Sequence, residues 1–205
     1  MDTAFLITAF VTLFVVIDPI GLAPLFIAMT QDTSAKRRRA IGIRACLTSI
    51  GILAIFAAFG EAVLGFVGIS MPAFRVAGGI LLFLTALDML FERRTKRREG
   101  QAEEDEGPDP SVFPLAIPLI AGPGSIATVI LLAGQKPGLE GLAVVIGIMI
   151  AVVALVFLLF LVSGFLATAL GKTGINVVTR LLGMLLAALA TQFVLDGLRN
   201  FGFAS

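Results

Sequence analysis

Two short stretches of this sequence carry residue types able to hold a solute, and both fall inside apolar runs. Asp18-Pro19-Ile20-Gly21 lies within Thr3 to Met29, and Gly122-Pro123-Gly124-Ser125 lies within Val112 to Leu132. A carboxylate at the centre of a bilayer-spanning helix costs ~2.5–3.5 kcal/mol on insertion scales, so its default explanation is function. Proline removes a backbone donor and clashes with the preceding turn, and a neighbouring glycine relaxes the chain further. Both helices are expected to break at these points.

A break inside a membrane helix bares peptide groups of opposite polarity: carbonyls where the first half ends, N–H groups where the second begins. In the fourth run the free N–H groups of Gly124, Ser125 and Ile126, the Ser125 hydroxyl and Thr128 on the same face form a candidate anion site suited to a carboxylate. In the first run the carbonyls ending at Ile17 and the Asp18 carboxylate suit an ammonium or a cation. Facing each other, the two ends match a small zwitterion, an amino acid of the glycine, alanine or serine class. Asp18 is also the candidate ion-coupling group, taking a proton or Na+. A plainer reading of Asp18, an N-cap for a helix with Pro19 at its first position, is compatible with ligand binding.

The elements that must position these residues follow from hydropathy. The chain has 205 residues, 58% of them hydrophobic, with a mean hydropathy of +1.04, well beyond the roughly 45–50% apolar content of soluble domains. With ~20 apolar residues per crossing, the sequence predicts an all-α polytopic membrane protein of six transmembrane helices: Thr3 to Met29, Ile41 to Val67, Pro72 to Phe91, Val112 to Leu132, Leu142 to Leu170 and Ile175 to Leu198. Between the third and fourth, Glu92 to Asp109 reads as a charged, solvated cytoplasmic linker (residues 92–111 as a unit), dividing a first three-helix repeat, 1–91, from a second, 112–205. The first run follows Met1-Asp2-Thr3 without a basic segment or a small-residue cleavage site, so it is expected to stay in the mature protein.

Basic residues concentrate at Lys36 to Arg39 and Arg93 to Arg98. The positive-inside rule puts both loops in the cytoplasm, and both termini outside. Asp88 is expected to meet the second basic cluster. Glu61, Arg75, Arg180 and Asp196 lie near span ends, where their side chains can snorkel to the interface. Thr85, Thr191 and Gln192 are placed for interhelical hydrogen bonds, with Gln192 a candidate pocket contact. Gly78, Gly79 and Gly183 read as close helix packing.

The two candidate stretches are related by an internal repeat. Pro19 and Pro123 are 104 positions apart (123 − 19), Gly68-Ile69-Ser70 recurs as Gly174-Ile175-Asn176 at 106 (174 − 68), and Arg75-Val76-Ala77-Gly78 as Arg180-Leu181-Leu182-Gly183 at 105 (180 − 75), registers that agree within a residue or two. Three spans per repeat make the second enter the membrane from the opposite side, so the repeats are expected to be inverted. Inverted repeats with interrupted helices at matching places are the sequence signature of a secondary transporter with its substrate at the repeat interface, working by alternating access.

The composition also excludes. With no histidine, His-ligated metals and Ser-His or Cys-His catalysis are out, so no metal, no cofactor and no enzyme activity are expected. The lone cysteine, Cys46, forms no internal disulfide. A net charge of +1 argues against a nucleic-acid partner. The partners left are a small zwitterionic amino acid, H+ or Na+, the lipid bilayer and a possible homo-oligomer. A channel or a membrane scaffold that transports nothing is the alternative class.

The motif Asp18-Pro19-x-Gly21-x-x-Pro24 with Phe26, followed by Pro118-Leu119-Ile120-Ala121-Gly122-Pro123-Gly124 at the fourth span, resembles the MarC family of bacterial and archaeal inner-membrane proteins. The resemblance covers nearly the whole chain. It implies a small neutral amino acid transporter of the inner membrane, with the stretches from Asp18 to Pro24 and from Gly122 to Ser125 lining the substrate site.

Overall fold

In the computed structural model, residues 3–31, 33–103 and 109–203 are described, and they are helical almost throughout. Thr3–Ile17 (α1) and Pro19–Thr30 (α2) meet at Asp18, followed by α3 (Ala35–Val67), α4 (Met71–Leu90) and α5 (Arg93–Glu103). A proline-rich segment, Ser111–Ile120, leads into α6 (Pro123–Gln135), α7 (Leu139–Leu161) and α8 (Ser163–Phe201). Among the described residues, five stretches are long and apolar enough to cross a membrane, counting α1 and α2 as one of 28 residues, and there are six if Ser111–Ile120 and α6, bent by 57°, are counted as one span.

Each interruption has a local cause. Asp18 is left-handed (φ 58, ψ 64), and its carboxylate accepts the Gly21 N–H at 3.1 Å, capping a helix whose first residue is Pro19. A Cβ on Gly21 would sit 2.2 Å from Asp18 Oδ2, so only glycine closes this turn. In Ser111–Ile120, Pro114 and Pro118 forbid a regular α-helix, and Phe113 and Ile117 before them are extended. At Gly122 a Cβ would lie 2.4 Å from the Pro118 carbonyl oxygen, which fixes glycine at the turn into α6.

The first span is the central pillar: half of it is buried, against 17 to 33% of the other four long helices. Leu13, Ile17, Leu22 and Phe26 join the core against α3, α6 and α7, while Val15 and Val16 join a second cluster against α4 and α8. Leu47, Ile55, Phe59 and Phe66 along α3 face outward, as lipid contact requires. α4 and α8 pack antiparallel with their backbones nearly touching. A Cβ on Gly79 would lie 2.9 Å from Ala190 O and 3.0 Å from Val194 N; one on Gly183 would lie 3.2 Å from Ala86 O and 3.4 Å from Leu90 N. These are the small-residue contacts expected of Gly79 and Gly183.

Two expectations are corrected. The fifth run does not continue from Leu142 to Leu170: α7 ends at Leu161, and Ser163 to Leu170 belong to α8, which bends at Gly171 (φ 59, ψ 178). Hydropathy misses this boundary because Val162, Ser163 and Gly164 interrupt the helix without adding charge. The stretch after α4 is not simply a solvated linker, because α5 is docked against the bundle with Arg94 and Arg98 buried. The acidic run Glu104 to Glu106 lies outside the described residues.

Candidate functional site

The two interruptions lie close together. Gly124, in the first turn of α6, is so near the end of α1 that a Cβ there would be 3.1 Å from Val16 Cγ1. Beside this junction is a cavity of 420 Å³, floored by Gly122 to Ser125, walled by Leu81, Thr85 and Asp88 of α4, and covered by Arg94, Arg97 and Arg98 of α5.

The end of α1 explains why arginines come here. In an unbroken helix the Gly21 N–H would serve the Ile17 carbonyl, but it serves Asp18 Oδ1 instead. Ile17 O is left bare, and Arg98 Nη2 donates to it at 3.0 Å while Nη1 donates to Asp18 Oδ2 at 3.1 Å. The side chains of Arg98 and Asp18 are 6% and 1% exposed, so this is a buried ion pair. Arg94 donates to Val16 O and to Met89 Sδ. Burial pulls both guanidiniums down from their usual range, Arg94 to about 9 with the Arg98 charge adding to the effect, while Asp18 pulls the other way. Arg97 pairs with Asp88 at 2.7 Å on the more open side, the contact expected of Asp88.

Across the cavity, α6 begins without any side-chain cap. The Gly124 and Ser125 N–H groups have no intrahelical acceptor and carry the positive end of the dipole, whereas the Ile126 N–H, expected to be free, donates to Gly122 O at 2.9 Å because that bond is the first of the helix. Three guanidiniums (Arg94, Arg97, Arg98) against two carboxylates (Asp18, Asp88) leave an excess of one positive charge, so the cavity favours an anionic group.

The predicted site residues separate into three groups. Gly122, Pro123, Gly124 and Ser125 line the cavity. Ser125 is buried and its hydroxyl donates to Ile120 O at 2.8 Å, so towards a ligand it offers lone pairs rather than the free proton expected. Asp18 lies behind Arg98, and Pro19, Ile20 and Gly21 do not line the space; their part is to shape and cap the turn. Thr128 is buried and donates to Gly124 O at 2.7 Å, which braces the first turn of α6. Gln192 is a correction: it is exposed on α8 and donates to Asp196 Oδ1 at 2.9 Å, away from the cavity, because α8 turns that face outward. The counter-charge to Asp18, expected from H+ or Na+, is here Arg98.

Sequence reasoning missed Arg94, Arg97 and Arg98 as site residues. The available signals were the four-residue spacing of Arg94 and Arg98, which puts them on one helical face, and the rule that a buried carboxylate needs a partner.

Comparison with known proteins fits this architecture. The sequence profile described as the MarC family integral membrane protein matches residues 3–201. The chain is 40% identical over 204 residues to the UPF0056 membrane protein YvbG of Bacillus subtilis, covering 98% of this chain and 97% of that one. It is 37% identical over 194 residues to the UPF0056 inner membrane protein YhgN of Escherichia coli, covering 95% and 96%, and 38% identical over 198 residues to a UPF0056 membrane protein of Aquifex aeolicus, covering 95% and 92%. No solved structure matches. With its apolar helices and a match over nearly its whole length, the chain belongs to the MarC family of integral membrane proteins.

Proposed function

We propose that this chain is a secondary transporter of small neutral amino acids, of the glycine, alanine and serine class, in the inner membrane. The observation that carries the reading is the cavity between two interrupted spans, lined by the uncapped start of α6 and by the arginines of α5, with the Asp18 carboxylate and the Ile17 carbonyl directly behind Arg98. The α6 end would take the substrate carboxylate and the Asp18 end its ammonium. The glycines at 122 and 124 leave the floor free of side chains at those positions, so a small substrate can approach the backbone closely.

Alternating access about an inverted repeat is supported by reciprocity between α4 and α8. Gly79 approaches Ala190 O and Val194 N, and Gly183 approaches Ala86 O and Leu90 N. Adding 104 to 79, 86 and 90 yields 183, 190 and 194, the offset that relates Pro19 to Pro123; this register makes Gly79 the counterpart of Gly183, one residue from the Gly78 match read from the sequence. A pseudo-two-fold axis between α4 and α8 has this signature, each contact mirrored by its equivalent. The Escherichia coli relative is called an inner membrane protein, which supports the location. We place both termini outside, because the basic clusters at Lys36 to Arg39 and Arg93 to Arg98 then face the cytoplasm. Asp18, once free of Arg98, is the group that H+ or Na+ would neutralise.

Counterflow tests the reading. Proteoliposomes preloaded with unlabelled alanine should transiently accumulate labelled alanine against its gradient and should not do so with leucine or phenylalanine inside. Equilibration without overshoot would make the protein a pore, and no movement of any small amino acid would refute transport.

A further inference from the structure

The chemistry of the Asp18 end raises a question the transport reading leaves open: its acceptors are already taken. Arg98 spans Asp18 Oδ2 at 3.1 Å and Ile17 O at 3.0 Å, a carboxylate and a helix-end carbonyl, which are the two kinds of acceptor a substrate ammonium would use. Arg94 occupies the neighbouring Val16 carbonyl. The opposite pole, at the start of α6, has no side-chain cap. The chain itself fills the cation half of the site and leaves the anion half open.

We propose that α5 is a tethered occlusion helix: the Arg98 guanidinium sits in the seat of the substrate's ammonium, and α5 must withdraw before a zwitterion binds. This deepens the transport reading and rests on it.

The composition of α5 makes such a helix releasable. Its sequence, Arg-Arg-Thr-Lys-Arg-Arg-Glu-Gly-Gln-Ala-Glu, contains no large apolar side chain, so the hydrocarbon that holds it in the bundle is little more than the stems of the buried Arg94 and Arg98. What holds it is charge: Arg98 to Asp18, Arg94 to a carbonyl, and Arg97 to Asp88 at 2.7 Å with the Arg97 side chain 57% exposed. A buried ion pair is offset by the desolvation of its partners, so exchanging a guanidinium for an ammonium on the same acceptors is close to balanced. An apolar helix in that position would have no comparable route out. While α5 is docked, the excess positive charge and the uncapped α6 favour a carboxylate alone, so the closed site takes simple carboxylates but not their amino derivatives.

The experiment compares alanine with propionate, which has the same carbon chain without the amine, on wild type and Arg98→Gln. If α5 is docked in all but about one molecule in ten, removing the plug tightens apparent alanine affinity about tenfold, while propionate affinity stays level or weakens. Equal alanine affinity in the two proteins, read by counterflow or thermal stabilisation, would overturn the plug and leave transport standing. Alanine without effect on either protein would overturn the transport reading and the plug together. Because Arg98→Gln can impair folding, a second measurement keeps Arg98 in place. In a Cys46→Ala background, spin labels at Lys96→Cys on α5 and Lys36→Cys on α3 should move apart on saturation with alanine and stay put with propionate. An unchanged distance during active alanine exchange would refute the proposal.

Discussion

Arg98→Gln and Asp18→Asn each remove one half of the same buried ion pair, yet the fold makes the two losses unequal. Asp18 is fixed between α1 and α2 with its side chain 1% exposed, so Arg98→Gln leaves a carboxylate without its counter-charge at a point of the fold from which it cannot swing away. Breaking a buried pair from one side costs about 3–5 kcal/mol. For a chain of this size each kcal/mol lowers the unfolding midpoint by roughly 2–4 °C, which predicts a fall of roughly 6–20 °C. Asp18→Asn strands Arg98 instead, but Arg98 is carried by a polar helix able to swing into water. The loss is then limited to the docking contacts of α5, about 1–2 kcal/mol. The combined variant leaves two neutral amides in place of two charges and should recover most of the Arg98→Gln loss. The chain has no Trp or Tyr, so thermal unfolding in detergent is best followed with a thiol-reactive dye at Cys46, whose side chain is buried in α3. The same trace should show alanine stabilising Arg98→Gln more than wild type, since the ligand's ammonium replaces the missing partner. Asp18→Asn as damaging as Arg98→Gln, or additive losses in the double variant, would refute the reasoning.

Two further outcomes follow from the glycine contacts. Gly124→Ala puts a methyl 3.1 Å from Val16 Cγ1 and 3.6 Å from Leu82 Cδ2, an overpacking that should cost about 1–3 kcal/mol, and Gly124→Leu should abolish alanine counterflow by filling the floor of the cavity; retained counterflow would move the site elsewhere. If α4 and α8 are symmetry mates, Gly79→Ala and Gly183→Ala should destabilise by similar amounts, each about 1–3 kcal/mol. Gly79→Ala should be the worse, because its new methyl meets backbone at 2.9 and 3.0 Å rather than 3.2 and 3.4 Å; a harmless change at either glycine, scored by the same melting assay, would count against the two-fold arrangement.

What the sequence made legible and what it hid divide along the range of the forces involved. The turn at Asp18 is written locally: aspartate, then proline, then a glycine three residues on is N-cap chemistry, and a single 3.1 Å hydrogen bond completes it. The small residues from Gly122 to Ser125 are local too, since a Cβ at 122 collides with a carbonyl four residues earlier. Segment Ser111–Ile120 was half legible: its hydropathy declares a membrane environment, while Pro114 and Pro118 forbid the regular helix that hydropathy implies. The burial of Arg94 and Arg98 could not be seen this way. Read alone, a helix of arginine, lysine and glutamate belongs in water, and the four-residue spacing of Arg94 and Arg98 says only that they share a face. Its place is set by acceptors about 80 residues away, which exist because Gly21 turns its N–H to Asp18 and leaves Ile17 O bare. Tertiary demand of this kind is readable only by asking, of each buried carboxylate and orphaned carbonyl, which cation in the chain can reach it. For Asp18 that question points to the basic cluster after α4, and so converts a presumed topology signal into part of the site.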